Sequence, residues 1–251
     1  MRRAEAGPAG EETPRRGLAT RLLLGLAALL VFLGLIGLGS WQLQRRAWKL
    51  DLIARVEARL HAAPAPAPGP AEWPALSATR DEYRRVSLRG HFLPVPPALT
   101  QATTALGAGF WVLSPLRDEA GFTVLVNRGF VASGQRSEIV TPVGPQEILG
   151  LLRLSEPGGG FLRSNDPAAD RWHSRDVAAI AAARGLAGVA PYFVDAEAGP
   201  PGTLPVGGLT VTSFRNTHLV YALTWYALAL MVAGGTAYAI REEWRVRRSA
   251  A

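Results

Sequence analysis

Two uninterrupted apolar runs bracket a chain whose middle alternates in polarity. The first extends from Leu22 to Ser40 and the second from Leu219 to Ile240, without a charged residue in either. At ~1.5 Å rise per residue each is long enough for a helix to cross a ~30 Å hydrocarbon core, so both are expected to be transmembrane helices. Beyond Ser40 the apolar positions Trp41, Trp48, Leu52, Val56 and Leu60 keep a helical period, with Arg45, Lys49, Arg55 and Arg59 mostly elsewhere. The first helix is therefore expected to continue as an amphipathic extension to about His61. From Tyr83 the period drops to two: Val86, Leu88, Gly90 and Phe92 alternate with Arg85, Ser87, Arg89 and His91, the pattern of a half-buried strand.

Further strands are predicted over Phe110–Ser114 and Phe122–Asn127, joined by a turn at Arg117–Gly121, and over Ile148–Leu154 and Tyr192–Asp195. One short helix is predicted from Arg175 to Arg184, with Ser174 as N-cap and Gly185 as its stop. Several short strands with one helix favour an antiparallel, barrel-like or sandwich-like sheet. The predicted class is thus a membrane α+β protein, a hairpin of two transmembrane helices bracketing a mainly antiparallel β domain. The segments are a flexible tail (1–20), the first helix with its extension (21–62), a Pro/Ala-rich linker (63–80), the β-rich domain (81–214), the second helix (215–241) and a basic tail (242–251). The alternating Ala-Pro run from Ala63 to Pro70 cannot continue a helix and is expected to be extended.

Charge orients the chain. Arginines flank the first run nearly evenly, but Arg215 alone precedes the second closely, whereas Arg241, Arg245, Arg247 and Arg248 follow it. The positive-inside rule then places both termini in the cytoplasm and the central domain on the other side of the membrane. A cleaved signal peptide is the alternative for the first run, but that run exceeds the usual apolar core and no small-x-small site follows it. Net charge is +7, and much of the arginine clusters around the apolar runs, which favours lipid headgroups over nucleic acid as its partner. The chain has no cysteine, so the outer domain has no disulfides and no thiolate ligand for copper(I).

Catalytic patterns are missing: there is no Gly-x-Ser-x-Gly elbow and no His-Glu-x-x-His helix, and the four histidines are scattered. No hydrolytic activity is expected. His173 is expected to be structural. Asp166, Asp170 and Asp176 have the spacing of turn and helix-start acids, and Gly158–Gly160 that of a mobile loop. His218, at the threshold of the second run, either caps the helix start or ligates a haem iron, with Tyr221 and Trp225 as aromatic neighbours at helical spacing. Arg215, Arg45 and Arg46 lie at a depth suited to propionates or to headgroups. Ala229, Ala233 and Ala237, with Gly34 and Gly37 in the first run, would allow close packing of the two helices.

Four segments in this order resemble the Surf1/Shy1 family of oxidase assembly proteins. They are Leu38–Lys49 (LGSWQLQRRAWK), Tyr83–Phe92 (YRRVSLRGHF), Val124–Phe130 (VLVNRGF) and Arg215–Trp225 (RNTHLVYALTW). The resemblance implies an assembly factor for a haem-copper terminal oxidase of aa3 type, in a bacterial inner membrane with the central domain periplasmic. Its implied partners are the haem-bearing subunit I and other oxidase assembly or haem a synthesis proteins. It also implies non-covalent haem a, with His218 as axial ligand and Trp225 near the macrocycle. A cofactor-free scaffold for assembly intermediates and a tethered docking or sensing module are the alternatives.

Overall fold

A computed structural model describes residues 17–160, 162–212 and 216–249. The chain divides into two compact units, one made of the chain to Asp51 together with the chain from Arg215, the other of Leu52–Phe214. The first unit holds most of helix α1 (Leu18–Leu60) and all of α4 (His218–Ser249), both long and apolar enough to cross a membrane. The expected extension beyond Ser40 is one continuous helix with the apolar run, ending one residue before His61.

The second unit is built on a closed sheet. After β1 (Ala65–Pro66) and the short helix α2 (Ala78–Asp81) come β2 (Arg85–Phe92), β3 (Ala98–Thr104), β4 (Gly107–Asp118), β5 (Thr123–Ala132) and β6 (Gln146–Leu154). A two-residue hairpin, β7 (Gly159–Gly160) with β8 (Arg163–Ser164), precedes α3 (Val177–Ala183) and β9 (Val189–Ala196). The sheet order is β1-β2-β6-β9-β5-β4-β3, and β2 also pairs with β4, so β2, β6, β9, β5 and β4 close into a five-stranded barrel. All barrel pairs are antiparallel except β5 with β9.

Closure falls on one glycine. Gly90 faces Gln146 of β6 and Asp118 of β4, the point where β2 leaves one neighbour for the other. A β carbon there would lie 1.9 Å from the Arg117 carbonyl oxygen, so a side chain is excluded. Val86, Leu88 and Phe92 point inward with Leu116, Val124, Val126, Leu152, Tyr192 and Val194 to fill the interior. The opposite face of the β4–β5–β9 wall is covered too, since Leu113, Leu125 and Phe193 pack with Trp172, Val177 and Ile180. Burial on both faces explains the near-continuous apolar run of β5, where strict alternation fails.

Several expectations are refined. Strands β4 and β5 are longer than their apolar cores, and the turn between them has Gly121 at φ +89°. β3 escapes the hydrophobic pattern because its inward positions include Thr100, buried yet polar. The N-cap of α3 is Asp176, accepting from the Ala179 amide, rather than Ser174, whose hydroxyl instead donates to the Glu156 carbonyl. Gly185 ends that helix as expected, at φ +62°. Gly159 and Gly160 belong to a hairpin rather than to an open loop. Asp166 and Asp176 cap helix starts, and Asp170 holds a left-handed turn while accepting from Trp172 Nε1.

The Ala-Pro run is extended, as expected, but it is also a wall of the domain. Ala65 and Pro66 pair in parallel with Val86 and Ser87 of β2, and the Pro68 carbonyl accepts from Trp73 Nε1 and from the buried Tyr192 hydroxyl. Proline is tolerated here because β1 is an edge strand, where a missing donor leaves no ladder bond unmade.

Candidate functional site

Within the helix unit, α1 and α4 run antiparallel. Arg21 pairs with Glu243 at 2.8 Å near one end, and His218 meets Gln42 near the other. Exposure along each helix repeats in steps of four and three. On α1 the shielded positions include Ala28, Phe32, Leu35, Gly39, Gln42 and Arg46; on α4 they include His218, Ala222, Trp225, Ala229, Val232 and Thr236. That 3.5-residue spacing is the seam of a left-handed helix pair. Close approach occurs at Gly39, where a β carbon would stand 2.6 Å from the Tyr226 ring. Ala222 and Ala229 are fully buried opposite. The small residues at the contact are therefore these, and Gly34, Gly37, Ala233 and Ala237 face outward, a correction to the spacing argument.

His218 is the first residue of α4, and the Asn216 side-chain oxygen accepts from its amide at 3.4 Å. Its ring faces α1, with Nδ1 2.7 Å from Gln42 Oε1. An amide oxygen can only accept, so Nδ1 carries the proton and Nε2 of the neutral ring keeps its lone pair. Among the described residues nothing bonds to that nitrogen. A half-buried imidazole with one nitrogen anchored and the other free is the arrangement in which histidine ligates metals, the anchored nitrogen fixing tautomer and ring direction.

The other residues singled out from sequence are dispersed around it. Trp225 lies two turns along the seam from His218, half-buried. Tyr221 lies off the seam and is 53% exposed. Arg46 is half-buried, whereas Arg45 is exposed and stacks its guanidinium 4.1 Å from the Trp48 ring centre. Arg215 lies outside the described residues. Gln42, Ser40 and Tyr226 were not anticipated. The Tyr226 hydroxyl lies 3.2 Å from Ser40 Oγ, and both contacts join residues far apart in sequence, where periodicity is silent.

A second polar cluster lies in the barrel unit. Asp195, at the end of β9, is 4% exposed and accepts from Asn127, Arg175, Arg153 and Thr210 at 2.7 to 3.2 Å. Arg153 also bonds Glu82, and Arg175 bonds Glu156. Burial would raise the Glu156 carboxyl, but the hydrogen bond and charge of Arg175 outweigh it and hold the group below its ordinary value of 4.5. Burial likewise opposes the charge on Arg153, and Glu82 and Asp195 more than restore it. The cluster lines a cleft of about 180 Å³ with Tyr83 and Trp111. Two arginines among three carboxylates leave no spare positive charge, so its chemistry is that of a self-satisfied clasp joining β6, β9 and the start of α3. Among the described residues no group of three or more histidine or acidic side chains converges as a metal site.

Comparison with known proteins bears on the whole arrangement. A profile of the SURF1 family matches residues 29–230, from within α1 to within α4. Surfeit locus protein 1 of Homo sapiens is 36% identical over 229 residues, covering 80% of this chain and 72% of that protein. The Gallus gallus protein of the same name is 38% identical, over 80% of this chain and 70% of its own length. A SURF1-like protein of Drosophila melanogaster is 31% identical, with 82% and 74% covered. The matches take in the barrel and both helices, and the chain belongs to the SURF1 family.

Proposed function

We propose that this protein is an assembly factor for a haem-copper terminal oxidase of aa3 type, holding haem a on its helix pair for delivery to the catalytic subunit I. The observation that carries the ligand assignment is the His218 ring, fixed by Gln42 through Nδ1 with Nε2 free. When bound, the haem would supply a redox-active iron centre destined for the oxidase. The chain's own part is custody: His218 would ligate, Trp225 would offer an aromatic face, and Arg46, with Arg45 and Arg215, would answer the propionates. The Nδ1 edge of His218 is taken by α1, which leaves Nε2 as the edge available to iron. No bond of the haem needs to change, so the role is not enzymatic.

The rest of the reading concerns place. The helices carry broad apolar surfaces, with Leu22, Leu23, Leu30, Leu223 and Leu230 each more than half exposed. Hydrocarbon is the cover that suits them. With the arginines beyond Ile240 on the cytoplasmic side, the barrel unit would lie in the periplasm of a bacterial inner membrane, in reach of subunit I and of other assembly or haem a synthesis proteins.

Purified full-length chain, co-expressed with haem a synthesis, is expected to show a haem a spectrum. His218→Ala is expected to lose it while still inserting in the membrane. Gln42→Leu is expected to weaken haem retention by roughly 10- to 100-fold, the usual effect of removing a ligand's hydrogen-bond partner. Unchanged haem content in His218→Ala would reject the ligand, and absence of haem from the parent chain would favour a cofactor-free scaffold.

A further inference from the structure

Arg128 differs from three other shielded arginines of the barrel unit. Arg153, Arg175 and Arg184 each meet a carboxylate, at Glu82 and Asp195, Glu156 and Asp195, and Asp170 respectively. Arg128 meets none among the described residues. Its Nη2 donates to the Val140 carbonyl at 2.6 Å, its guanidinium lies 5.4 Å from the centre of the Phe92 ring, and its Nη1 is buried without a hydrogen-bond partner. Loss of water lowers the pKa of this cation, the direction expected when nothing nearby compensates the charge.

The backbone places the side chain there by a local irregularity. Trp111 of β4 faces Phe130 and Leu113 faces Asn127, so Arg128 and Gly129 of β5 together oppose Val112. This is a bulge, which redirects a side chain at the cost of one ladder position. Gly129 allows it, at φ +130° with the Val206 carbonyl oxygen 2.3 Å from where a β carbon would stand.

Beside the guanidinium lies an open apolar groove of about 500 Å³. Phe92, Leu93 and Pro94 form one bank, and Pro142, Val143 and Pro145 the other. Phe92 is shared, lining the groove and carrying the guanidinium near its ring. Val140, whose carbonyl holds Arg128, is 72% exposed, and Val143 is 96% exposed. An apolar trough with a partly desolvated, uncompensated cation at its edge is complementary to an apolar side chain followed by a carboxylate.

We propose that this groove docks a segment of a partner protein, seating an apolar side chain between Leu93 and Val143 and an Asp or Glu carboxylate on Arg128. The groove residues and Arg128 all belong to the barrel unit, and the site needs no haem. A neutral partner segment would cover the half-buried guanidinium without supplying a charge to offset the water it loses, so the acid is what makes docking favourable.

The test uses full-length protein in its native membrane with a photoreactive benzoylphenylalanine in place of Val143. Mass spectrometry of the crosslinked product identifies the captured peptide. The expected result is one protein segment with an Asp or Glu beside an apolar residue. Arg128→Gln should lower the yield about tenfold or more, as expected for loss of a charge-assisted bond, and Arg128→Lys should retain part of it. Because Arg128→Gln also gives up the bond to Val140, Val143→Asp serves as a second variant, read with the photoreactive group at position 140. That site is solvent-exposed, so the fold stands while a like charge faces the incoming carboxylate, and the yield should again fall. In Arg128→Glu, changing the captured acid to Arg should restore the crosslink. Crosslinks to lipid or to a second copy of this chain, a captured peptide without an acid, or yields indifferent to Arg128 would each overturn the proposal.

Discussion

A half-buried carboxylate, Glu156, ties the barrel unit's stability to pH. Glu156 has its folded pKa held below 4.5, chiefly by Arg175 against the opposing effect of burial. The stabilisation is therefore fully present above about 4.5, its value in the unfolded chain, and is lost as pH falls through the lower folded value. Thermal unfolding of the full chain is expected to hold a steady midpoint from pH 7 down to about that point and then to drop. Glu156→Gln should start with a lower midpoint at pH 7 and converge on the parent in acid, and parallel curves would refute the link. The clasp itself was illegible in sequence. Arg153, Arg175 and Asp195 are spread over β6, the approach to α3 and β9, and only the strand order brings them together. Asp166 and Asp176 were legible because the cap of a short helix is a local event, decided within three residues.

At the scale of elements, the apolar runs announced both helices, but not the faces they turn to each other. Nearly every position in such a run is apolar, so polarity carries no phase. The seam is instead marked by where small and polar residues coincide across the pair: Gly39 under Tyr226, Ser40 beside its hydroxyl, and Gln42 on His218. Gly39→Leu is expected to force Tyr226 off its contact with Ser40 and to separate the helices locally, costing about 1 to 3 kcal/mol as overpacking does. Gly37→Leu, at a position with open space where a β carbon would go, is expected to cost little. Thermal midpoints of the two variants in one detergent make the comparison, and equal losses would contradict the seam. The strands show the same contrast. β2 alternates cleanly because one face meets the core, whereas β5 is buried on both faces and β3 carries Thr100 inward, so neither follows the simple period.

For the whole molecule, the division into units gives an expectation about what each can do alone. The Leu52–Phe214 unit has its own closed barrel, an interior core from β2, β4, β5, β6 and β9, and a second core under α3. Its edge is covered by β1 and both arginines of its polar clasp are paired inside it, so among the described residues these contacts lie within the unit. A fragment from Leu52 to Phe214 is therefore expected to fold as a soluble domain with a single cooperative unfolding transition, and Gly90→Val in that fragment to abolish the transition by blocking barrel closure. Circular dichroism with urea titration decides both, and a fragment without a cooperative transition would mean that the barrel depends on its anchors. The same fragment separates the two proposed activities. It lacks His218 and Gln42 and should carry no haem a, yet it retains Arg128, Phe92 and Val143 and should still give the acid-dependent crosslink. A fragment that kept haem would move the cofactor to the barrel, and one that lost the crosslink would make docking a property of the tethered protein.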